Sequence, residues 1–212
     1  MPFYQPSHDV LSSRNATIGA LFHARVPANP SQRAVVEGTR VLNYLELEER
    51  SNRLANALLE LGLARGDRVG LLARNCLEYL EVELAAAKAG LILACLNWRL
   101  GDRELQHCIT LVEPKVVIAQ ADLTPALDRL EFPPHQRITI GAEYESFMAA
   151  ASERYPDLEI DPESGLVILY TSGTTGLPKG ALVSHRAMVA RGMCFTSEFE
   201  VPIGDNFCAW AP

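Results

Sequence analysis

Between residues 171 and 180 the chain reads Thr-Ser-Gly-Thr-Thr-Gly-Leu-Pro-Lys-Gly. Thr171, Ser172, Thr174 and Thr175 place four hydroxyls within five residues. Gly173, Gly176 and Gly180 permit positive backbone torsions and leave amide groups accessible, and Lys179 adds one mobile cation. Many donors, little bulk and a positive charge are what a polyphosphate requires. Each charge-assisted hydrogen bond to such an anion contributes about 1.5–3 kcal/mol. The charge pattern agrees: no Asp or Glu occurs from Ser164 through Ser197, while Lys179, Arg186 and Arg191 do. That gives +3 locally, and carboxylates in a shielded anion site would repel the ligand strongly.

Clusters of Ser, Thr and Gly are more often plain polar loops. Here the loop joins two apolar stretches, Leu166–Tyr170 and Ala181–Val183, both read as strands, the first of them buried. A slack linker is a poor connection between two core elements. Two other phosphate-binding patterns fail on spacing. A Walker loop needs Gly-Lys followed by Ser or Thr, but Lys179 lies between Pro178 and Gly180; the dinucleotide pattern GxGxxG is also absent. A generic kinase or dehydrogenase is disfavoured.

The elements that must position this loop are legible upstream. The first 30 residues carry Pro2, Pro6, Pro27 and Pro30 and suggest a leading arm with one short helix near Ile18–Ala24. Ala34–Val36 and Val41–Leu42 flank Glu37-Gly38, a hairpin signal. Leu47, Ser51, Leu54, Leu58 and Leu61 form one helical stripe, with Gly62 at the expected C-terminal stop. Glu48, Glu49 and Arg53 read as its solvated face. Strand and helix then alternate: Val69–Ala73, Leu77–Ala89, Leu91–Leu96, Asp102–Val112, Val116–Ala119, Leu123–Leu130, Arg137–Ile140 and Tyr144–Ser152. Such alternation means crossover connections and an α/β fold with a largely parallel, doubly wound sheet flanked by helices. Ligands bind beyond the carboxyl ends of such strands. The polar, turn-rich segment 155–165 divides the chain into an N-terminal subdomain, 1–160, and the beginning of a second, 161–212. Ser184 is placed to cap a helix after the loop.

Bulk properties bound the function. The 212 residues carry 19 Lys and Arg against 26 Asp and Glu, a net charge of −7, so general nucleic-acid binding is not expected. Neither a signal peptide nor an apolar run of about 18 residues is present, and a soluble, cytoplasmic protein is expected. Cys76, Cys95, Cys108, Cys194 and Cys208 form no CxxC pair, so neither a metal site nor a disulfide framework is indicated, and most are read as buried thiols. His8, His23, His107 and His135 are read as structural or solvated, His185 as packing or capping, and Trp98 and Trp210 as core or interface aromatics.

The run from Leu169 to Gly180 closely resembles the AMP-binding signature of the adenylate-forming superfamily, which includes acyl-CoA synthetases, peptide-synthetase adenylation domains and firefly luciferase. The order of Tyr44-Leu-Glu-Leu47, Arg53-Leu-Ala55, Gly66-Asp-Arg-Val69, Asn75, Glu78, Ala89-Gly90, Leu96-Asn-Trp-Arg-Leu100 and Glu104-Leu105 is similar to that of acyl-CoA synthetases. Asn43 departs from the Thr often found before the aromatic residue. The resemblance covers about residues 15–212 and implies part of an acyl-CoA synthetase-like large domain. It implies an acid–CoA ligase using ATP, Mg2+ and coenzyme A on a small-molecule carboxylic acid. In that reaction a carboxylate attacks the α-phosphorus, pyrophosphate leaves, and a thiol then displaces AMP. By resemblance Thr171, Ser172, Gly173, Thr174, Thr175, Gly176 and Lys179 hold the β- and γ-phosphates. The catalytic lysine, the ribose-binding acid and the magnesium-associated glutamate of the family are expected beyond residue 212. The chain alone is therefore expected to be inactive, with no catalytic or metal residue of its own. Amino-acid adenylation and a non-catalytic nucleotide-binding module are the alternatives, and a homodimer is left open.

Overall fold

The computed structural model describes residues 16–131, 136–171, 176–200 and 208. Helix α1 (Ile18–Arg25) precedes a hairpin of β1 (Arg33–Glu37) and β2 (Arg40–Asn43). The long α2 (Tyr44–Glu60) follows, and then β3 (Arg68–Leu72), α3 (Leu77–Ala89), β4 (Ile92–Leu96), α4 (Asp102–Val112), β5 (Val116–Gln120), the short α5 (Thr124–Asp128), β6 (Gln136–Ile140) and α6 (Ala142–Met148). The described chain closes with β7 (Gly165–Thr171), β8 (Lys179–Ser184) and α7 (His185–Glu198).

Six strands form one sheet in the order β6-β5-β3-β4-β7-β8. Neighbours from β6 to β7 run parallel; β8 runs antiparallel to β7 at the edge. The alternation read from the sequence thus yields the expected α/β fold with a mostly parallel sheet. Side-chain parity assigns the layers. Val69, Leu71, Leu93, Val116, Ile118 and Ile138 enter one core with Leu54, Leu58, Val82 and Tyr144 from α2, α3 and α6. Leu72, Leu96, Val117 and Ala119 point the other way, onto Leu105, Cys108, Ile109 and Leu127 of α4 and α5. Both faces are therefore covered, as a parallel sheet requires.

Local chemistry sets the boundaries. At the start of α2, Asn43 Oδ1 accepts from the Glu46 N–H at 2.8 Å, and Glu46 Oε2 accepts from the Asn43 N–H at 2.8 Å. This is a reciprocal capping box, so the departure at Asn43 replaces one N-cap residue by another. Helix α3 ends at Gly90, whose φ is +68°, and a β-carbon there would lie 2.8 Å from Ile160 Cδ1 and 2.9 Å from Arg65 Cγ. Both conformation and space demand glycine. The expected helix over 123–130 contracts to Thr124–Asp128 after a 3-10 turn at Ala121–Leu123, and the one over 144–152 starts at Ala142 and stops at Met148.

Three expectations need correction. Glu48 is not part of a solvated face: it is 5% exposed and pairs with Lys88 of α3, itself wholly buried. Lys88 Nζ donates to Glu48 Oε2 at 2.7 Å, Ser51 Oγ at 2.6 Å and Asn52 Oδ1 at 2.8 Å. A buried ammonium is tolerable only when its three donors are matched. Burial draws Lys88 down to about 8 against the opposing pull of Glu48. Burial acts to raise the Glu48 carboxyl, but the Lys88 charge and hydrogen bonds outweigh it and leave it below the ordinary carboxylate range. Glu48 Oε1 also meets His23 Nδ1 at 2.7 Å, which fastens α1 onto the α2–α3 pair. Second, the cysteines are not mostly buried: Cys108 is, Cys76 and Cys95 are half-buried, and Cys194 and Cys208 are exposed. All five are free thiols, and burial pushes Cys95 and Cys108 each up to about 11. Third, β7 is buried only in its first half. Leu166 is fully buried and Val167 nearly so, but Leu169 is 44% exposed, and most of β8 faces solvent. β8 has no strand on its outer side among the described residues, and the side-chain faces of both strands are only partly covered.

No helix among the described residues is long and apolar enough to cross a membrane.

Candidate functional site

Strand β7 points the same way as β4, so the Thr171 end lies at the carboxyl edge of the sheet. The antiparallel return through β8 sets Thr171 opposite Lys179 and Tyr170 opposite Gly180. The loop is therefore the turn of a hairpin, and its first hydroxyl and its cation come back to the same place. Ser172, Gly173, Thr174 and Thr175 lie outside the described residues. Gly176 is exposed with φ +89°, a conformation that side-chain-bearing residues rarely adopt. Lys179 is exposed and has no hydrogen bond or ion pair among the described residues. Thr171 and Gly176 are exposed as well, so the two ends of the loop open to solvent.

The same sheet edge carries further cations. Arg74 follows β3, and Trp98 and Arg99 follow β4, the neighbour of β7. The Arg74 and Arg99 guanidinium carbons lie 4.8 and 5.1 Å from the Trp98 ring centre, within cation–π range. Trp98 also packs on the α4–α5 core, as expected for a core aromatic. Arg74 is partly neutralised by Asp122 at 2.7 Å. The local +3 read from the sequence is also reduced, because Arg186 pairs with Glu163, just outside the carboxylate-free stretch. Among the described residues no group of three or more His, Cys, Asp or Glu could hold a metal ion.

Two histidines do more than sequence reasoning assigned to them. His107, on α4, sets its Nε2 3.0 Å from the carbonyl oxygen of Pro178, the residue before Lys179. The sequence carries no signal for this, because 71 residues separate the partners. His185 is wholly buried at the start of α7. Its Nδ1 accepts from the Ile18 N–H at 3.3 Å, joining α1 to the strand–helix unit that follows the loop. Its Nε2 is buried with no hydrogen-bond partner among the described residues, and burial draws the imidazole down to about 4. It is packed between α1 and α7, while the predicted cap is supplied by Ser184 Oγ, which accepts from the Ala187 N–H at 3.2 Å. His8, His135 and Trp210 lie outside the described residues.

The AMP-binding enzyme family matches residues 22–212, and the chain belongs to that family. It is 34% identical over 179 residues to the fatty acid–[acyl-carrier-protein] ligase ScoC of Streptomyces coeruleorubidus, covering 84% of this chain and 34% of the relative. It is also 34% identical over 197 residues to the long-chain-fatty-acid–CoA ligase FadD13 of Mycobacterium tuberculosis, covering 89% of this chain and 39% of that protein. The chain thus spans little more than a third of these relatives. Among solved structures, ATP-bound MatB from Rhodopseudomonas palustris superposes with a TM-score of 0.78 at 28% identity, over 88% of this chain and 38% of that one.

Proposed function

We propose that the protein carrying this chain is an AMP-forming acid–thiol ligase, and that this chain supplies the grip on the ATP polyphosphate. A carboxylate oxygen attacks the α-phosphorus, the bond to the β-phosphate breaks, and pyrophosphate leaves. A thiol then attacks the acyl carbon, and AMP departs. The first step brings two anions together, so positioned donors and positive charge are what it needs.

The observation that carries the reading is the placement of the loop ends. Thr171 and Lys179 face each other across a hairpin at the carboxyl edge of the sheet, both exposed, with Gly176 in a left-handed conformation between them. On this reading the hydroxyls of Thr171, Ser172, Thr174 and Thr175, the amides near Gly173 and Gly176, and the Lys179 ammonium hold the β- and γ-phosphates. Magnesium, where it is used, would lend charge to those phosphates. The described residues do not make a site for it, and no step here depends on one. The division of the chain at 160/161 belongs to the same proposal. Because β7 and β8 extend the sheet of β3–β6, that division would mark a change of role within a shared sheet.

Coenzyme A is the acceptor we favour, in line with the name of the FadD13 relative. A carrier-protein thiol is the second reading, supported by the name of the ScoC relative. ATP–pyrophosphate exchange by the whole protein across a panel of carboxylic acids tests the adenylation step. Lys179→Ala is expected to slow exchange about 100-fold, the loss typical of one preorganised donor to a developing charge. Thioester formation from a supplied acyl-adenylate should slow far less. Equal slowing of both half-reactions would remove the phosphate role. Supplying coenzyme A or a carrier protein in the second step separates the two acceptors.

A further inference from the structure

We infer that α4 positions the phosphate loop from behind, through two adjacent residues that each hold one stem of the hairpin. His107 Nε2 donates to the Pro178 carbonyl at 3.0 Å on the outgoing stem. Cys108, the next residue, accepts from the Tyr170 hydroxyl on its carbonyl at 3.1 Å on the incoming stem. Tyr170 and Gly180 are register partners. At Gly180 a β-carbon would lie 3.0 Å from Ile168 Cγ2 and 3.6 Å from Leu111 Cδ2. The tight contact is with Ile168 of β7, and the Leu111 distance is ordinary packing of the strand on α4.

The helix is a firm support. Leu105, Cys108 and Ile109 are 2%, 0% and 4% exposed, and Glu104 Oε2 caps the helix by accepting from the Gly101 N–H at 3.1 Å. Of the hairpin, β7 is buried in its first half, but most of β8 is exposed and no strand lies on its outer side among the described residues. Pro178 is buried and brings no N–H of its own. Its carbonyl is the handle nearest Lys179 that the rest of the fold holds. The inference rests on the reading that this loop binds the ATP phosphates, and adds which groups outside the loop set its position. Stems already ordered before the nucleotide arrives reduce the entropy lost on binding. His107 and Tyr170 are thus positioning residues, not catalytic ones.

The test uses His107→Ala, His107→Gln and Tyr170→Phe in the whole protein, with two readouts. Amide hydrogen exchange without nucleotide reports the tether itself. His107→Ala should raise exchange about tenfold across residues 179–182, consistent with local opening of an edge strand. Tyr170→Phe should do so across 168–171. The second readout is pyrophosphate exchange. KM for MgATP should rise about three- to tenfold, the worth of one net hydrogen bond, with KM for the carboxylic acid unchanged. His107→Gln, whose amide nitrogen can reach the same carbonyl, should restore both. Unchanged hydrogen exchange in His107→Ala and Tyr170→Phe would overturn the tether. Raised hydrogen exchange with an unchanged KM for MgATP would overturn the positioning role. If His107→Ala does not fold, Tyr170→Phe, which deletes a single hydroxyl, decides by the same criteria. Full pyrophosphate exchange in Lys179→Ala would instead defeat the phosphate reading, and would leave the hydrogen-exchange result standing.

Discussion

Two lysines mark the two regimes of this molecule. Lys88 sits at the junction of α1, α2 and α3, wholly buried, with all three N–H bonds met by oxygens. Lys179 stands at the open end of the β7–β8 hairpin, exposed, without a partner among the described residues. The same side chain closes a core in one place and is left available in the other. A saturated ammonium has nothing left to offer a ligand, whereas an exposed one beside exposed hydroxyls does. The contrast extends to the surroundings. Lys88 lies among packed helices whose Leu54, Leu58 and Val82 are fully buried, and Lys179 lies on a strand paired on one side among the described residues. The first site is built into the core, and the second leaves its cation exposed for the anion role proposed above.

That contrast can be broken most severely at Lys88. Lys88→Met should destabilise the fold by up to about 3–5 kcal/mol, because it removes the cation paired with the buried Glu48 carboxylate and leaves that group only its contacts with His23 and Asn52. Urea unfolding measures this, and a loss below about 1 kcal/mol would mean the junction is wetter than its geometry indicates. Lys179→Ala should lose about 100-fold in pyrophosphate exchange while its urea midpoint stays put. A large shift of that midpoint would make Lys179 a structural residue like Lys88.

His185 gives a pH-dependent version of the comparison. Its folded value of about 4 lies below the ordinary 6.5, so the unfolded chain binds more protons between these limits. The stability it contributes is complete above pH 6.5 and is lost as the pH falls towards 4, by up to about 1.4 kcal/mol per pH unit. His185→Asn keeps an acceptor for the Ile18 N–H but does not titrate there. The stability of the parent chain should therefore fall more steeply than that of the variant between pH 6.5 and 4. Parallel curves would show that the buried ring is reached by water. The smallest effect is expected at the start of α2: Asn43→Ala should cost about 1 kcal/mol by removing the capping box, and Asn43→Thr only a few tenths.

Much of this was legible in the residues alone, and the reason differs by element. Periods of about 3.6 and 2 follow from local backbone geometry. The stripe of α2, the glycine stop at Gly62 and the apolar strands β3 to β5 could therefore be read without any long-range information. The loop was legible for a similar reason, since phosphate chemistry demands donors and a cation close together in the chain. Burial of charge was not legible. Glu48 looks solvated on a helical wheel, and only the approach of α3 turns it into the partner of Lys88. The exposure of β8 was hidden likewise, because an apolar run does not say whether another element will pack on its faces.

The sequence by itself determined the elements, their alternation and the hydroxyl-, glycine- and lysine-rich composition of residues 171–180, all of which depend on residues within a few positions of one another. Tertiary structure alone decided which lysine is spent on the core, that β8 pairs antiparallel with β7, and that His107 reaches Pro178 across 71 residues. Those outcomes are fixed by how packed elements meet in space, and a chain read in one dimension carries no measure of that distance.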